Sequence, residues 1–480
     1  MKTWDRLLRA AFVSVAVGLA WSIRGDYGLS LGVGLAMGLP AAVLAMGFAY
    51  VSGQRTMFKW MPLLGAVAAI AFFAPVTDYH PLHAYASNKT FVNYSYGFFM
   101  LIVQGGGWVC FSCCLIGLML EKKPLTASEW ASAAATVFVS AFVFYYVVVD
   151  LVGFHVTPGP WRTDRVVGVT GGLIGLFVWL ILNKKHYGFK AAFIGYIAFG
   201  LGMAIGRFLA NVRDYSTWTI GDWHVLQGLF GRFENIMEVF VGLAAGFIFT
   251  YGMLGRKCPD FPEDKHYKLL SVYSIFFLLA GIPVLHRLVN MSGSIVDRDT
   301  GHTKMYKWKD LLERYGYAHP GELAEKIPTL ISLVCLLATV SAIVWLVLYL
   351  RNKHKFAAFP ILCVLGVMVV IQNLDHEYVF YPIRDVSWKQ FLFPAMFALM
   401  LLYAIFVKTP EVTEPDDVAE HVNWRRWLVG AFIVYALIVV LSGPVNAGRR
   451  DEVPPDHMRF PAGGQTPAEW GYRPPAPKGL

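Results

Sequence analysis

Charged and polar residues inside or beside apolar segments are the residues of this sequence most able to do chemistry. Glu234 and Glu238 are four residues apart, so on a helix they share one face, with Asn235 beside them. Two neighbouring carboxylates repel each other unless a cation compensates, and Arg24 or Arg207 is the available partner. The pattern predicts a polar cavity in which arginine holds an anionic or hydroxylated ligand and the glutamate pair takes up a proton or a cation.

Asp26 follows Arg24 in the segment Arg-Gly-Asp and completes this group. The predicted ligand or ion site therefore consists of Arg24, Asp26, Arg207, Glu234, Asn235 and Glu238. An alternative interpretation is that these charges form structural ion pairs at the level of the lipid headgroups, where long side chains reach water at low cost.

A second set of candidates lies in segments between the apolar runs. Asp, His and Arg side chains there supply the acid and base pairs that a membrane enzyme needs. The candidates are Asp78, His80, His83, Asp150, His155, Arg162, Asp164, Asp375, His376 and Arg384. Some have metal-ligand spacing, but a catalytic metal needs ligands that converge from several elements, so we expect no metal and no other cofactor.

Composition identifies the elements that must position these residues. The chain has 480 residues, of which 56% are hydrophobic and only 15% charged, whereas about a quarter of the residues of an average soluble protein are charged. Its mean hydropathy is +0.50. These values predict an all-α polytopic integral membrane protein with about thirteen transmembrane helices, since a span needs roughly 20 apolar residues. The predicted spans cover residues 7–23, 29–51, 61–77, 97–120, 131–153, 166–183, 191–210, 236–254, 269–289, 328–350, 356–372, 390–407 and 427–443.

Basic residues in alternate loops predict the orientation of these spans. Lys and Arg concentrate in every second loop, on the side of the N-terminus, as in the loop with Lys122 and Lys123 and the loop with Lys184 and Lys185. Cytoplasmic loops carry such an excess. We therefore expect a bacterial plasma (inner) membrane protein with a cytoplasmic N-terminus and an external C-terminus. The net charge of +9 is explained by these loops, so no nucleic acid is expected as a partner.

Short similarities in the same order suggest an internal duplication. The segment from Gly18 to Arg24 resembles the segment from Gly200 to Arg207, and residues 33–38 resemble residues 241–246. We predict a first six-helix unit at 1–185 and a second at 186–408 with an outer loop at 290–327, related as parallel repeats. An additional helix at 409–443 and a disordered Pro-rich outer tail at 444–480 follow.

These features favour a secondary transporter or permease for a small polar or anionic solute, with a charged cavity in the outer half of the membrane. The bilayer and the solute are the expected partners, and the sequence does not predict an oligomeric state. A membrane-embedded enzyme of envelope lipid or glycan metabolism and a structural or sensory subunit remain alternatives. The sequence contains no convincing nucleotide-binding GxxxxGK[ST] loop and no HExxH or GxSxG motif.

Overall fold

The structure is a computed structural model that describes part of the chain. The described residues are 3–25, 38–53, 79–121, 123, 125–156, 164–215, 219–220, 223–224, 236–254, 358–375, 389–407 and 423–448, with positions 313, 316, 318, 319, 333, 337, 340 and 344. The predicted spans 61–77 and 269–289, most of the span 328–350, most of the outer loop 290–327 and the tail beyond residue 448 therefore lie outside them.

The regular structure of the described residues is helical apart from one pair of two-residue antiparallel strands, β1 (Thr219–Ile220) and β2 (Trp223–His224). The helices are α1 (Thr3–Gly25), α2 (Gly38–Val51), α3 (Tyr79–Ala86), α4 (Phe91–Leu118), α5 (Ala127–Tyr145), α6 (Arg165–Leu182), α7 (His186–Tyr215), α8 (Ile236–Met253), α9 (Phe359–Asp375), α10 (Lys389–Phe406) and α11 (Trp424–Ala447). The all-helical fold class is thereby confirmed.

Six of these helices are long and apolar enough to cross a membrane: Thr3–Arg24, Phe91–Leu118, Ala127–Leu151, Arg165–Leu182, His186–Tyr215 and Trp424–Ala447. Shorter apolar helices form at Gly38–Val51, Met237–Met253, Phe359–Val370 and Phe391–Phe406. These helices are typical of a multi-pass membrane protein, because a helix satisfies all of its backbone hydrogen bonds internally in lipid. The count of thirteen spans stays a prediction.

Local sequence determines where two of the helices begin. Thr126 and Glu129 form a capping box at the start of α5, in which the Glu129 amide donates to Thr126 Oγ1 over 3.3 Å and the Thr126 amide donates to Glu129 Oε2 over 2.7 Å. Asn423 caps α11 by accepting from the Arg426 amide over 3.2 Å. Both caps follow polar segments and precede apolar runs.

Two arginines of α1 show that this helix runs antiparallel to its neighbours. Arg6 Nε donates to the carbonyl of Tyr251 over 2.9 Å, near the end of α8, and Arg9 donates to the carbonyl of Val51 at the end of α2. Both guanidinium groups thus satisfy carbonyls that a helix C-terminus leaves unpaired. We call this end of the bundle the Arg9 end, and the end where α1 finishes the Arg24 end.

Contacts of α4, α7 and α11 place their termini at the same two ends. Gly252 near the end of α8 lies 3.0 Å, measured from an ideal Cβ, from the side chain of Ile194 near the start of α7. Glu121, just after α4, contacts the first turn of α7. At the other end, Gly448 approaches the carbonyl of Tyr215 at the end of α7, so α11 finishes at the Arg24 end.

Glycine allows the helices that carry the predicted site to approach closely. An ideal Cβ on Gly242 of α8 would lie 2.4 Å from the carbonyl oxygen of Val17 and 2.6 Å from the Cα of Gly18 on α1. Gly105 of α4 meets Met203 of α7 in the same way, at 2.2 Å. Small residues let helix backbones touch in lipid. Glycine therefore serves helix packing at these positions.

Two helices at the periphery expose apolar side chains. In the candidate membrane span of α5 only 6% of the residues are buried, and in that of α11 only 17%, whereas the share in α1 is 72%. Exposed side chains on α5 include Phe138 and Phe142, and those on α11 include Phe432. The last turn of α5 widens into a π-helix at Tyr146–Leu151. These faces have the composition of a lipid-facing surface.

Candidate functional site

Arg24 and Glu238 form a buried ion pair where α1 ends and α8 begins. Arg24 Nη2 and Glu238 Oε1 lie 3.9 Å apart, and the two side chains expose 6% and 13% of their surface. The distance between these atoms is that of an ion pair and exceeds that of a hydrogen bond. The helix dipoles favour this arrangement, because a cation is stabilised in the last turn of α1 and an anion in the first turn of α8.

The ion pair lies against buried aromatic rings. The guanidinium carbon of Arg24 is 5.6 Å from the centre of the Trp21 ring, a cation–π distance. Trp21 stacks on Trp108 with ring centres 6.4 Å apart and contacts Phe199 at 5.5 Å. Trp21 is fully buried, and its indole Nε1 has no hydrogen-bond partner among the described residues. The site therefore combines two opposite charges and one unused donor in an apolar setting, which strengthens electrostatic interactions.

Arg207 contributes to a different group of polar side chains at the same end of the bundle. Its Nε donates to Ser87 Oγ over 3.1 Å, and its Nη2 contacts the same oxygen. Ser87 Oγ in turn lies 2.9 Å from both the His83 carbonyl oxygen and Asn211 Oδ1. Arg207 was a predicted partner of the glutamates, and these hydrogen bonds give it a role in joining α7 to the residue that follows α3.

Two asparagines extend this group to the C-terminal helix. Asn211 Nδ2 donates to the Ala86 carbonyl over 3.1 Å and to Asn446 Oδ1 over 3.2 Å. Asn446 Nδ2 donates to the carbonyls of Ala86 and Asn88 over 3.0 and 2.9 Å. Asn211 and Asn446 are fully buried. This network was not predicted from the sequence, although single asparagines inside the apolar runs of α7 and α11 were a signal.

His155 and Asp164 form a separate acid and base pair between α5 and α6. His155 Nδ1 lies 2.9 Å from Asp164 Oδ2, and the Val156 amide donates to Asp164 Oδ1 over 2.9 Å. The Asp164 side chain exposes 3% of its surface and the His155 side chain 26%. A buried carboxylate thus orients a partly exposed imidazole, as in catalytic dyads. Asp150, which was predicted in the same group, is exposed on the π-helical turn.

Comparison of the chain with protein-family models, curated proteins and solved structures found no match. The described residues contain no group of three or more His, Cys, Asp or Glu side chains that could hold a metal ion. His83 is buried, and Cys110, Cys113 and Cys114 are buried free thiols on α4.

The remaining predicted site residues lie outside the described parts of the chain. They are Asp26, Glu234, Asn235, Asp78, Arg162, His376 and Arg384, together with the side chains of His80 and Asp375. Of the predicted ligand or ion site, the structure therefore describes Arg24, Arg207 and Glu238, and it brings Arg24 and Glu238 together.

A second charged cluster lies at the Arg9 end and was not predicted. Glu121 Oε1 accepts from the amides of Tyr187 and Gly188 over 2.7 and 3.1 Å, so it caps the first turn of α7 from another segment. Lys185 Nζ pairs with Glu129 Oε1 at 2.7 Å. Burial raises the pKa of Glu121 above its ordinary value, although the two amides and the nearby Lys185 act in the opposite direction.

Proposed function

We propose that this protein is a secondary transporter or permease for a small polar or anionic solute and that Arg24 and Glu238 belong to its binding site. The observation that carries this proposal is the buried ion pair at 3.9 Å between α1 and α8. Ionisable groups within membrane helices are costly, and they commonly belong to ion or substrate pathways. A buried ion pair is also weak support for stability, because desolvation offsets its attraction.

The way the pair is held supports a binding role. The two groups come from different helices and lack direct hydrogen-bond contact between Arg24 Nη2 and Glu238 Oε1, so a ligand can replace either partner with little loss of geometry. The two helices approach closely at a pair of glycines, where an ideal Cβ on Gly242 would lie 2.6 Å from the Cα of Gly18. Such contacts are compatible with the movement of one helix group against another that alternating access requires.

We also propose about thirteen crossings, a cytoplasmic N-terminus, an external C-terminus and a location in a bacterial inner membrane. The basic residues Arg6, Arg9 and Lys185 lie at the Arg9 end and support a cytoplasmic location for it. The two six-helix units and their parallel relation belong to the same proposal.

A reporter enzyme tests the orientation. An enzyme that is active only outside the cytoplasm, fused after residue 448, should be active, and an inactive fusion with normal expression would contradict the orientation.

Transport by the purified chain in liposomes tests the function. We expect a proton or sodium gradient to drive uptake of at least one impermeant solute from a panel of labelled small anions and sugars. Glu238→Gln and Arg24→Gln should abolish this uptake. Glu129→Gln is the matched control, because it neutralises a paired glutamate at the opposite end and should leave uptake unchanged. Uptake that persists in both site variants would remove the proposed site.

A second candidate function is supported by the His155 and Asp164 pair. The 2.9 Å contact and the burial of Asp164 give His155 the orientation of a general base. An enzyme of envelope lipid or glycan metabolism would use it on a substrate at the Arg24 end. Hydrolysis or transfer of a labelled lipid-linked sugar by the purified protein, lost in His155→Gln but retained in Glu238→Gln, would favour this function over transport.

A further inference from the structure

We propose that the start of α11 binds an anionic phospholipid, with the lipid phosphate at Arg425 and Arg426 and an acyl chain along the exposed apolar face of the helix. This lipid site goes beyond the proposed transport function and does not depend on it. It follows from the two arginines, from the exposed residues that follow them on the same face and from tryptophans at the same end of the bundle.

Two adjacent arginines are exposed in the first turn of α11. Arg425 and Arg426 are the second and third residues of the helix, directly after the Asn423 cap and Trp424. The next residue, Trp427, reaches the end of α8, where its Cζ2 lies 3.0 Å from an ideal Cβ on Gly252. This turn therefore lies at the Arg9 end. Guanidinium groups bind phosphate oxygens through paired N–H donors, so two neighbouring arginines suit a phosphate group.

An exposed apolar column continues from the arginines along α11. Val429 follows them by four and three residues, and Phe432 and Ile433 follow Val429 by three and four, so they share one helix face. Leu437 continues this face, and each of the four apolar side chains is more than half exposed. The rise from Arg425 to Leu437 is about 18 Å. One leaflet contributes about 15 Å of hydrocarbon, so an acyl chain can lie against apolar side chains over its full depth.

Exposed tryptophans mark the headgroup level at this end of the bundle. Trp424 is 51% exposed, and the guanidinium carbon of Arg425 lies 5.3 Å from the centre of its ring, a cation–π distance. Trp4, in the first turn of α1, is 69% exposed at the same end. Tryptophan is enriched where membranes meet water. The two arginines therefore lie at the depth of lipid phosphates.

Charge favours an anionic phospholipid over a zwitterionic one. A zwitterionic headgroup places a cation beside its phosphate, and two guanidinium groups repel that cation. Arg6 adds a third positive charge near the end of α8, with its guanidinium carbon 4.3 Å from the centre of the Tyr251 ring. The cytoplasmic leaflet, where the proposed orientation puts this end, is also the leaflet with a negative surface potential.

Charge also disfavours a second copy of the chain as the occupant of this face. Two copies in the same membrane orientation, joined by the α11 face, would bring their arginines together, and like charges oppose such a contact. Residues 409–422, which include acidic side chains, precede the arginines and lie outside the described residues. A lipid phosphate needs access to the guanidinium groups rather than unpaired ones, and both arginines are exposed.

Native mass spectrometry of the full chain in neutral detergent tests the lipid site. The protein is titrated with phosphatidylglycerol or with phosphatidylcholine of the same acyl chains, and the lipid-bound fraction is measured. A basic residue near an anionic lipid surface strengthens binding about fivefold, so two arginines predict a preference of about 25-fold for phosphatidylglycerol. Glycerol 3-phosphate in excess should not displace the bound lipid, because it lacks the acyl chains.

Variants locate the bound lipid on α11. Arg425→Gln and Arg426→Gln should each weaken phosphatidylglycerol binding about fivefold and leave phosphatidylcholine binding unchanged, and the double variant should bind both lipids alike. Phe432→Ala should weaken both lipids equally, because it removes contact with the acyl chain. Lys123→Gln is the matched control, since Lys123 is an exposed basic residue that follows α4 at the same end. It should resemble the wild type.

Four results would overturn the lipid site. They are equal binding of the two lipids by the wild type, a preference for phosphatidylglycerol that persists in the double arginine variant, displacement of phosphatidylglycerol by glycerol 3-phosphate, and an equal loss of preference in Lys123→Gln. A purified dimer that Phe432→Ala dissociates and phosphatidylglycerol leaves intact would also contradict it, because a second copy would then cover this face. The substituted residues are exposed, so melting temperatures close to that of the wild type should accompany all of these variants.

Discussion

Replacement of Gly242 by alanine tests the helix contact that holds Arg24 and Glu238 together. The new Cβ would lie 2.4 Å from the carbonyl oxygen of Val17 and 2.6 Å from the Cα of Gly18, whereas ordinary contacts are 3.4–4 Å. Both close atoms belong to the backbone of α1, so no flexible side chain can yield. α1 and α8 must therefore separate by about 1 Å, and overpacking of this kind costs about 1–3 kcal/mol.

Equilibrium unfolding in mixed detergent micelles measures this cost. Gly430→Ala is the matched control, because a Cβ at Gly430 on α11 meets no atom within 4 Å. Alanine there should be neutral or stabilising by up to about 1 kcal/mol, since glycine is the weaker helix former. Gly242 lies one turn after Glu238, so its replacement should also reduce binding at the ion pair. If Gly242→Ala is as stable as Gly430→Ala, the described contact between α1 and α8 is wrong.

Three further results are expected from the same unfolding measurement. Arg24→Gln and Glu238→Gln should each destabilise by about 3–5 kcal/mol, because each removes one partner of a buried ion pair. The double variant should recover much of the loss, and additive losses would refute the pairing. Asn446→Leu should cost about 1–3 kcal/mol through lost hydrogen bonds and reduce hydrogen-exchange protection of α11; unchanged protection would refute the network. Burial raises the pKa of Glu121, so this carboxyl binds its proton more tightly in the folded state. Wild-type stability should therefore fall as the pH rises from the ordinary glutamate pKa through the raised one. Glu121→Gln should remove this pH dependence of stability, and an unchanged pH dependence in the variant would contradict the prediction.

Hydropathy predicted the helical architecture because long apolar runs in lipid have one common solution, the helix. Each predicted span whose residues are described overlaps a helix, such as 97–120 with α4 and 191–210 with α7. The eight-residue helix α3 and the π-helical turn at the end of α5 were not predicted. A short amphipathic segment and a local change of hydrogen-bond register leave no periodic signal in hydropathy.

Side-chain partners were harder to predict than helices. Arg24 and Arg207 both follow Gly-rich apolar segments and look equivalent in sequence, yet Arg24 faces Glu238 and Arg207 donates to Ser87. The difference arises in part from α3, which brings Ser87 beside α7. Glu121 directly precedes two lysines in the sequence, and its capping role depends on how the end of α4 meets the start of α7. These contacts are tertiary, so neither spacing nor composition encodes them directly.

Uptake of a labelled solute driven by an ion gradient tests the central claim most directly. Liposomes that contain the protein are given an inward proton or sodium gradient and a panel of labelled small anions and sugars. We predict uptake of at least one solute above that of protein-free liposomes, which Arg24→Gln reduces to background and Glu129→Gln leaves unchanged. No uptake above background, or equal uptake by wild type and Arg24→Gln, would contradict transport through the Arg24 and Glu238 site.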